Sequence, residues 1–332
     1  MRLKLSGFVG TGVLVSLAFV VIGFAQTGSE GKRANLSSCN RDCLDKYVDK
    51  YLDALAAHNP GQVPTSSSAK FTENTVRLKL GEGVWRTATE IGGYRIRLAD
   101  PKSGQAVFFG ILKEGTQADL FTLRIRVEDQ RITEMETILV RPQPGSPLAD
   151  IFSNKLKTAR PAFIEALKPS ERVPREKMIA ATNAYYEGIE HGTGQIVPFA
   201  EDCHRIENGQ ATVNNPDRHS NYVSMTGRSL PNFTAMACRQ QFDTGIWASD
   251  NITDRRFPVV DEERGVVAAF TIYNSHGTSK CVNTPAYGLV CPGPGFMPHS
   301  LDLLEMMKIR NGEIHEQESI FQTMSPGIKS GW

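Results

Sequence analysis

An internal repeat constrains this chain of 332 residues more strongly than any other feature of its sequence. Residues 51–74 align without a gap onto residues 185–208. The matched positions pair Tyr51 with Tyr185, Glu73 with Glu207, Trp85 with Trp247, Asp100 with Asp261 and Glu136 with Glu318. Because the order is kept and the spacing changes only through insertions in the second copy, the pattern indicates a tandem duplication of one unit.

Each copy has the same predicted order of elements. Residues 44–58 and 175–191 carry apolar side chains at helical spacing, which predicts an amphipathic helix at the start of each copy. A short second helix is expected at 61–67 and at 194–200. Strands follow, as in 120–127, where apolar and polar residues alternate. Helices followed by an antiparallel meander predict the α+β fold class.

The repeat also sets the expected domain boundaries. We expect one domain at residues 39–142 and a second, with loop insertions, at 175–326. Residues 143–174 contain Pro-Gly-Ser-Pro and a short helical stretch, which is typical of a linker.

The N-terminus has the layout of a secretory signal peptide over residues 1–25. Arg2 and Lys4 precede an uncharged apolar run, and the small residues Gly23 and Ala25 stand where a signal peptidase cleaves. An uncleaved membrane anchor is the alternative, because the run approaches the ~20 residues that span a bilayer. We expect cleavage and a secreted or periplasmic protein.

Export makes disulfides the expected state of the six cysteines. Cys39 and Cys43 lie one helical turn apart, and Cys281 and Cys291 bracket a loop rich in proline and glycine. This proximity predicts the pairs Cys39–Cys43, Cys281–Cys291 and, from the remaining two, Cys203–Cys238.

Charge and motif content exclude several function classes. The formal net charge is +1 without a long run of one sign, which argues against nucleic acids or acidic membranes as main partners. The sequence has no phosphate-binding loop, nucleophile elbow or zinc-protease motif. We therefore expect no cofactor and no metal.

The order of elements resembles the NTF2-like superfamily, which includes SnoaL-type cyclases and ketosteroid isomerase. The first helix carries Tyr-x-x-Ala-Leu at residues 51–55, a short helix is expected next, and the first strand ends in a carboxylate. The chain also resembles a family of uncharacterised exported SnoaL-like proteins. The resemblance implies two cone-shaped α+β barrels with small-molecule pockets, packed sheet to sheet as an intramolecular pseudo-dimer or paired as a homodimer.

The ketosteroid-isomerase pattern implies a set of site residues in the second copy. In that pattern a helix tyrosine and a protonated carboxyl donate hydrogen bonds to the substrate oxygen, and a carboxylate at the end of the first strand moves the proton. The resemblance assigns Tyr185 and Glu305 as the donors and Glu207 as the base. The first copy keeps the tyrosine and the base but has Leu123 at the third position.

The residues around Glu305 support a functional role for it independently of any resemblance to a family. One face of its strand is otherwise apolar and carries Leu301, Leu303, Met307 and Ile309. A carboxyl group in such a stripe is desolvated, so its pKa is expected to rise and the neutral acid becomes a hydrogen-bond donor near pH 7.

Each candidate also has a purely structural interpretation. Tyr185 lies on the helix face that packs on the sheet, where tyrosines are common. Glu207 shares a strand face with Arg205, so an ion pair would explain both, and Glu305 can pair with a buried arginine or tyrosine. His204 is expected on the opposite strand face and is kept as a candidate proton acceptor because imidazole titrates near neutral pH.

Two classes of function therefore remain open. The first is a cofactor-free acid–base enzyme, such as a lyase, isomerase, dehydratase or hydrolase, acting on a small organic molecule. The second is a non-catalytic exported protein that binds a small molecule or acts as an accessory protein. The second copy is the expected location of the pocket, because it carries Glu305 and two long insertions at 209–240 and 275–300.

Overall fold

The computed structural model describes residues 39–218, 222–224, 232–248, 250–275, 281–284, 287–292 and 298–332. The predicted signal peptide at 1–25 lies outside these residues. The described residues all belong to one compact unit. None of the described helices is long and apolar enough to cross a membrane.

The first half contains one long helix followed by six strands. They are α1 (Arg41–Ala56), β1 (Thr65–Glu73), β2 (Val76–Leu78), β3 (Glu90–Asp100), β4 (Gln105–Glu114), β5 (Gln117–Glu128) and β6 (Arg131–Val140). The side chain of Asn40 caps α1 by accepting a 3.0 Å hydrogen bond from the Cys43 amide. The apolar face of α1 buries Leu44, Val48 and Leu55 against the sheet.

The segment expected to be a linker is part of the core. It forms α2 (Pro147–Asp150), a π-helical turn (Ile151–Lys155) and α3 (Pro161–Ile164). Ile151, Phe152 and Phe163 are buried between the two sheets. These apolar side chains lie on three short turns, so the segment has no helical period long enough to reveal its buried face.

The second half repeats the plan of the first with additional strands. Its elements are α4 (Arg175–His191), β7 (Phe199–Glu207), β8 (Gln210–Ala211), β9 (Tyr222–Ser224), α5 (Cys238–Asp243), β10 (Asp250–Asp261), β11 (Val266–Ser275), β12 (Val282–Thr284), β13 (Gly288–Pro292), β14 (His299–Arg310) and β15 (Glu313–Met324). β9, β12 and β13 form a separate small sheet within the insertions.

The two large sheets have the same topology. The first has the strand order β2-β1-β6-β5-β4-β3, and the second, read in the same direction, β8-β7-β15-β14-β11-β10. In each sheet the first strand pairs parallel with the last strand, and the other neighbouring pairs are antiparallel. The α+β class is confirmed, as two mixed six-stranded sheets.

The predicted second helices are wrong. Only a three-residue 3-10 turn, Pro60–Gln62, forms in the first half, and β1 already begins at Thr65. In the second half, residues 194–198 form turns and β7 begins at Phe199. Proline at positions 64 and 198 disfavours helical backbone in the residue before it, which favours early entry into the strand.

The halves pack sheet against sheet through an apolar interface. Two aspartates at equivalent strand ends add reciprocal contacts across it. Asp261 pairs with Arg41 at 2.6 Å and accepts from the Ala99 amide at 3.2 Å. Asp100 pairs with Arg175 at 2.7 Å and accepts from the Val260 amide at 3.1 Å. Each half therefore presents the same kind of contact to the other, as the two subunits of a twofold dimer do.

All three predicted disulfides are present: Cys39–Cys43, Cys203–Cys238 and Cys281–Cys291. The first lies at the start of α1, and the second ties β7 to α5. No free cysteine remains. Such a set fits an extracellular protein.

Candidate functional site

A row of polar side chains crosses the helix-facing side of the second sheet. The strand register places Glu305 beside Ser319, and Ser319 beside Glu207. Since neighbouring strands lie about 4.8 Å apart, the backbones of the two glutamates are about 10 Å apart. The row runs from the core to the surface, because Glu305 is 3% exposed and the Glu207 side chain is 26% exposed.

Glu305 is the buried end of this row. Tyr273 donates a 2.9 Å hydrogen bond to Oε2, and Nε2 of Gln317 donates a 3.0 Å hydrogen bond to Oε1. Burial raises the pKa of Glu305 to about 7, against the lowering effects of the Tyr273 hydrogen bond and the Arg205 charge. Both the acid and its conjugate base are therefore populated near neutral pH.

Arg205 supplies a buried positive charge next to the row. It is 4% exposed and lies within 5.5 Å of the ring centres of Tyr185, Phe242 and Trp247. Nη1 donates to Gln241 at 2.6 Å, and Nη2 binds one carboxylate oxygen of Glu207. Nε is buried without a hydrogen bond of standard geometry in the described structure.

Two adjacent tyrosines of α4 face the same cluster. Tyr185 interacts electrostatically with Arg205, Glu305 and Glu207, and Tyr186 interacts with Glu305. Burial raises the pKa of both hydroxyls well above their usual range, so both keep their protons. Both hydroxyls are fully buried; that of Tyr185 contacts Arg205 and that of Tyr186 contacts Glu305, although neither contact has the geometry of a standard hydrogen bond. They are therefore buried hydroxyls that lie directly beside the charged groups of the cluster.

The equivalent residues of the first half are satisfied by the protein itself. The Tyr51 hydroxyl accepts a 2.9 Å hydrogen bond from Nε1 of Trp85. Oε2 of Glu73 accepts a 2.8 Å hydrogen bond from the Val84 amide. The same tyrosine and glutamate therefore have a structural role in one half.

The surrounding positions show why the two halves differ. In strand register, apolar residues of the first half stand where polar residues stand in the second half. The equivalent pairs are Leu123 and Glu305, Phe71 and Arg205, Met135 and Gln317, and Leu112 and Tyr273. Since the same topology is built with an apolar core in the first half, the polar cluster is not required by the fold.

The structure brings together three of the four residues predicted from sequence. Tyr185, Glu207 and Glu305 belong to one electrostatically connected cluster. Glu207 forms an ion pair with Arg205, as its structural interpretation from the sequence allowed. His204 is exposed on the opposite face of β7, so it lies outside the cluster. Asp243 accepts a 2.7 Å hydrogen bond from the Gly194 amide and has a structural role there.

Sequence reasoning missed four members of the cluster: Tyr186, Gln241, Tyr273 and Gln317. A signal for three of them was present in the repeat, because polar Tyr186, Tyr273 and Gln317 align with apolar Leu52, Leu112 and Met135. Gln241 had no such signal, since it lies on α5, and the described first half has no α-helix at the equivalent place between its second and third strands.

An open groove of about 600 Å³ lies elsewhere, along the surface of α1 between Asn40 and Asp53. It is lined by a single helix and contains none of the cluster residues, so it does not enclose a ligand. In the part of the chain that the structure describes, no group of three acidic, histidine or cysteine side chains is arranged to hold a metal ion.

The comparison with known families matches the second half of the chain, which also contains the cluster. Residues 171–321 match the family model of a domain of unknown function, DUF8021. This segment covers α4 to most of β15. No curated protein matches the chain.

Solved structures give only weak similarity. A de novo designed protein with a curved β-sheet is 12% identical, with a TM-score of 0.26 over 31% of this chain and 88% of that chain. A Kribbella flavida protein described as a ketosteroid isomerase is 14% identical, with a TM-score of 0.23 over 31% of this chain and 81% of that chain. Superpositions of this quality do not bear on function.

Proposed function

We propose that the chain is a tandem duplication of an NTF2-like unit, with domains at 39–142 and 175–326 that form an intramolecular pseudo-dimer. The identical strand order of the two sheets supports this proposal, as do the reciprocal contacts of Asp100 and Asp261. The signal-like residues 1–25 and the three disulfides support export to the periplasm or the cell exterior.

We further propose that the second domain performs cofactor-free proton transfer on a small organic molecule. One observation carries this proposal: Glu305 is a buried acid with a pKa of about 7, within a cluster that the first domain builds from apolar residues. An acid–base catalyst is most effective when its pKa lies near the working pH. Lyases, isomerases, dehydratases and hydrolases all use such a step.

Glu305 is the best candidate for the group that moves the proton. Glu207, to which the resemblance gives that role, is held by the Arg205 guanidinium. Tyr185 and Tyr186 are buried hydroxyl donors, and hydrogen bonds from such groups stabilise negative charge that develops on a substrate oxygen. The C–H or O–H proton of the substrate would pass to the Glu305 carboxylate while the tyrosines bind the oxyanion.

The Arg205–Glu207 ion pair favours a second candidate function, a protein that binds its ligand without turning it over. In that case Glu305 and the tyrosines orient a ligand, and the ion pair completes a structural network. The two functions use the same cluster and differ in whether Glu305 exchanges its proton with the bound molecule.

A thermal-shift screen of small carbonyl and hydroxyl compounds, followed by a turnover assay, separates them. The proteins are the wild type, Glu305→Gln, Glu207→Gln and the matched first-domain control Glu73→Gln. We expect a compound that stabilises the wild type and is converted by it and by the control, while Glu305→Gln binds it without conversion. A compound that stabilises the wild type and Glu305→Gln but is converted by no protein supports binding alone.

A further inference from the structure

We propose that the second-domain site takes an organic monocarboxylate, and that the ligand carboxylate binds Arg205 by replacing Glu207. This inference rests on the proposed small-molecule site and specifies the chemical class of its ligand. It concerns binding, so it holds for an enzyme and for a non-catalytic protein alike.

Arg205 has the properties of an anion-binding residue. Its guanidinium is buried among the rings of Tyr185, Phe242 and Trp247, which hold its plane in place. Of its donor groups, one binds the neutral amide of Gln241, one binds Glu207, and Nε is buried without a standard hydrogen bond in the described structure. The guanidinium also contacts the buried Tyr185 hydroxyl. Its planar fork matches the two oxygens of a carboxylate, and Nε together with the Nη2 group that now binds Glu207 would donate to them.

The fold does not need this arginine. The equivalent position in the first domain is Phe71, which is 2% exposed and packs in an apolar core. A buried charge is costly to desolvate, and its replacement by well-packed apolar residues is often neutral or stabilising. We therefore expect the charge of Arg205 to have a function other than stabilising the fold.

Glu207 is the more easily displaced partner of the pair. Only one of its oxygens contacts Arg205, and its side chain is 26% exposed, so it can move into solvent. Its counterpart Glu73 is only 10% exposed and is held by the Val84 amide at 2.8 Å. The glutamate of the second domain thus lacks the backbone anchor of the first.

The charges in the cluster allow a ligand carboxylate to replace Glu207 on Arg205 when Glu305 is protonated. Glu305 faces Tyr185 and Tyr186 of α4, Arg205 and Glu207 of β7, Tyr273 of β11 and Gln317 of β15. Once Glu207 has moved out, the protonated cluster has one positive charge, carried by Arg205. A bound carboxylate restores neutrality, so binding is expected to be tighter at pH 6 than at pH 8.

An organic carboxylate fits this site better than an inorganic anion. The partly exposed rings of Trp247 and Phe321 pack on the same core, and Phe321 lies two residues beyond Ser319 on the same face of β15. Their apolar surface would be left uncovered by sulfate or phosphate but contacts the body of an organic acid.

The test measures calorimetric affinity for two nearly isosteric probes, benzoate and benzamide, on the full mature protein. We expect the wild type to bind benzoate more tightly than benzamide, and more tightly at pH 6 than at pH 8. Glu207→Gln, which removes the competing carboxylate, is expected to bind benzoate at least about tenfold more tightly. The matched variant Glu73→Gln is expected to bind as the wild type does.

Several results would overturn this inference. The wild type would bind benzamide as tightly as benzoate or more tightly, or would bind sulfate as tightly as benzoate. Alternatively, Glu207→Gln would bind benzoate more weakly than the wild type, or neither of these two proteins would bind benzoate. The proposed function fails separately, when Glu305→Gln converts a compound as fast as the wild type does. Glu207 is partly exposed, so Glu207→Gln is expected to fold, and far-ultraviolet circular dichroism verifies this.

Discussion

The hydroxyl of Tyr51 accepts a 2.9 Å hydrogen bond from Nε1 of Trp85, deep in the core of the first half. The equivalent hydroxyl of Tyr185 instead contacts the buried Arg205 guanidinium, without the geometry of a standard hydrogen bond. The same residue at the same helix position therefore makes a well-formed hydrogen bond in one half and a weaker contact with a buried charge in the other. This contrast can be measured as a difference in stability.

We expect Tyr51→Phe to lower the free energy of unfolding by about 1–3 kcal/mol, because it leaves the buried Trp85 donor without a partner. Tyr185→Phe is expected to lower it by less than about 1 kcal/mol, because it removes only a contact with Arg205 that lacks the geometry of a standard hydrogen bond. Chemical denaturation of the two variants measures both values. Equal losses would mean that Tyr185 is also a structural hydroxyl.

Asp302 is expected to make stability fall as pH rises. It is 5% exposed on the face that meets the first sheet, and burial together with the Glu136 charge raises its pKa to about 8, against the lowering effect of Arg256. Between about pH 4 and pH 8 the folded state keeps a proton that the unfolded state has lost. The stability from the protonated group is thus complete below this window and lost as pH rises through it.

Asp302→Asn removes this titration while keeping a polar group of the same size. From pH 5 to pH 8 the free energy of unfolding of the variant should decline less steeply than that of the wild type. The difference between the two slopes should be at most about 1.4 kcal/mol per pH unit. Asp53→Asn, an exposed acid on α1, serves as the control and should follow the wild type. Parallel curves for Asp302→Asn and wild type would show that Asp302 is ionised in the folded protein.

The reciprocal ion pairs predict matched effects of two distant substitutions. Arg41→Met leaves Asp261 buried without its arginine, and Arg175→Met does the same to Asp100. Each is expected to cost about 3 kcal/mol. Lys113→Met, which breaks an exposed pair with Glu90, should cost less than about 1 kcal/mol. A large cost for one arginine and none for the other would contradict the pseudo-twofold arrangement.

Export and disulfide formation are tested by intact mass. We expect a mature chain that begins at Gln26, with no alkylated cysteine before reduction and six after it. Retention of the first 25 residues would instead favour the membrane-anchor alternative.

Local patterns in the sequence were sufficient to predict the main elements. The period of apolar residues placed α4 at Arg175–His191, as observed, and alternation placed Glu305 on a buried face of β14. The repeat located Tyr185 and Glu207 because both halves keep the same strand positions.

Contacts between distant segments could not be read from these patterns. Phe152 and Phe163 lie on turns too short to show a period, so their burial between the sheets was missed. Gln241 reaches Arg205 from α5, whose position depends on the Cys203–Cys238 disulfide and on tertiary packing. The short second helices were overpredicted because helical propensity over a few residues is a weak signal beside the backbone restriction before proline.

Hydrogen–deuterium exchange at carbon tests the central claim most directly, because it detects proton transfer without knowledge of the natural reaction. Small ketones and oxo-carboxylates, including acetone and 4-oxopentanoate, are incubated with the protein in D₂O, and loss of the C–H signals beside the carbonyl is followed by proton NMR. We predict that the wild type and Glu73→Gln accelerate exchange, and that Glu305→Gln reduces this acceleration about a hundredfold. Exchange that is no faster with the wild type than with Glu305→Gln for any compound would contradict the assignment of Glu305 as a proton-transfer group.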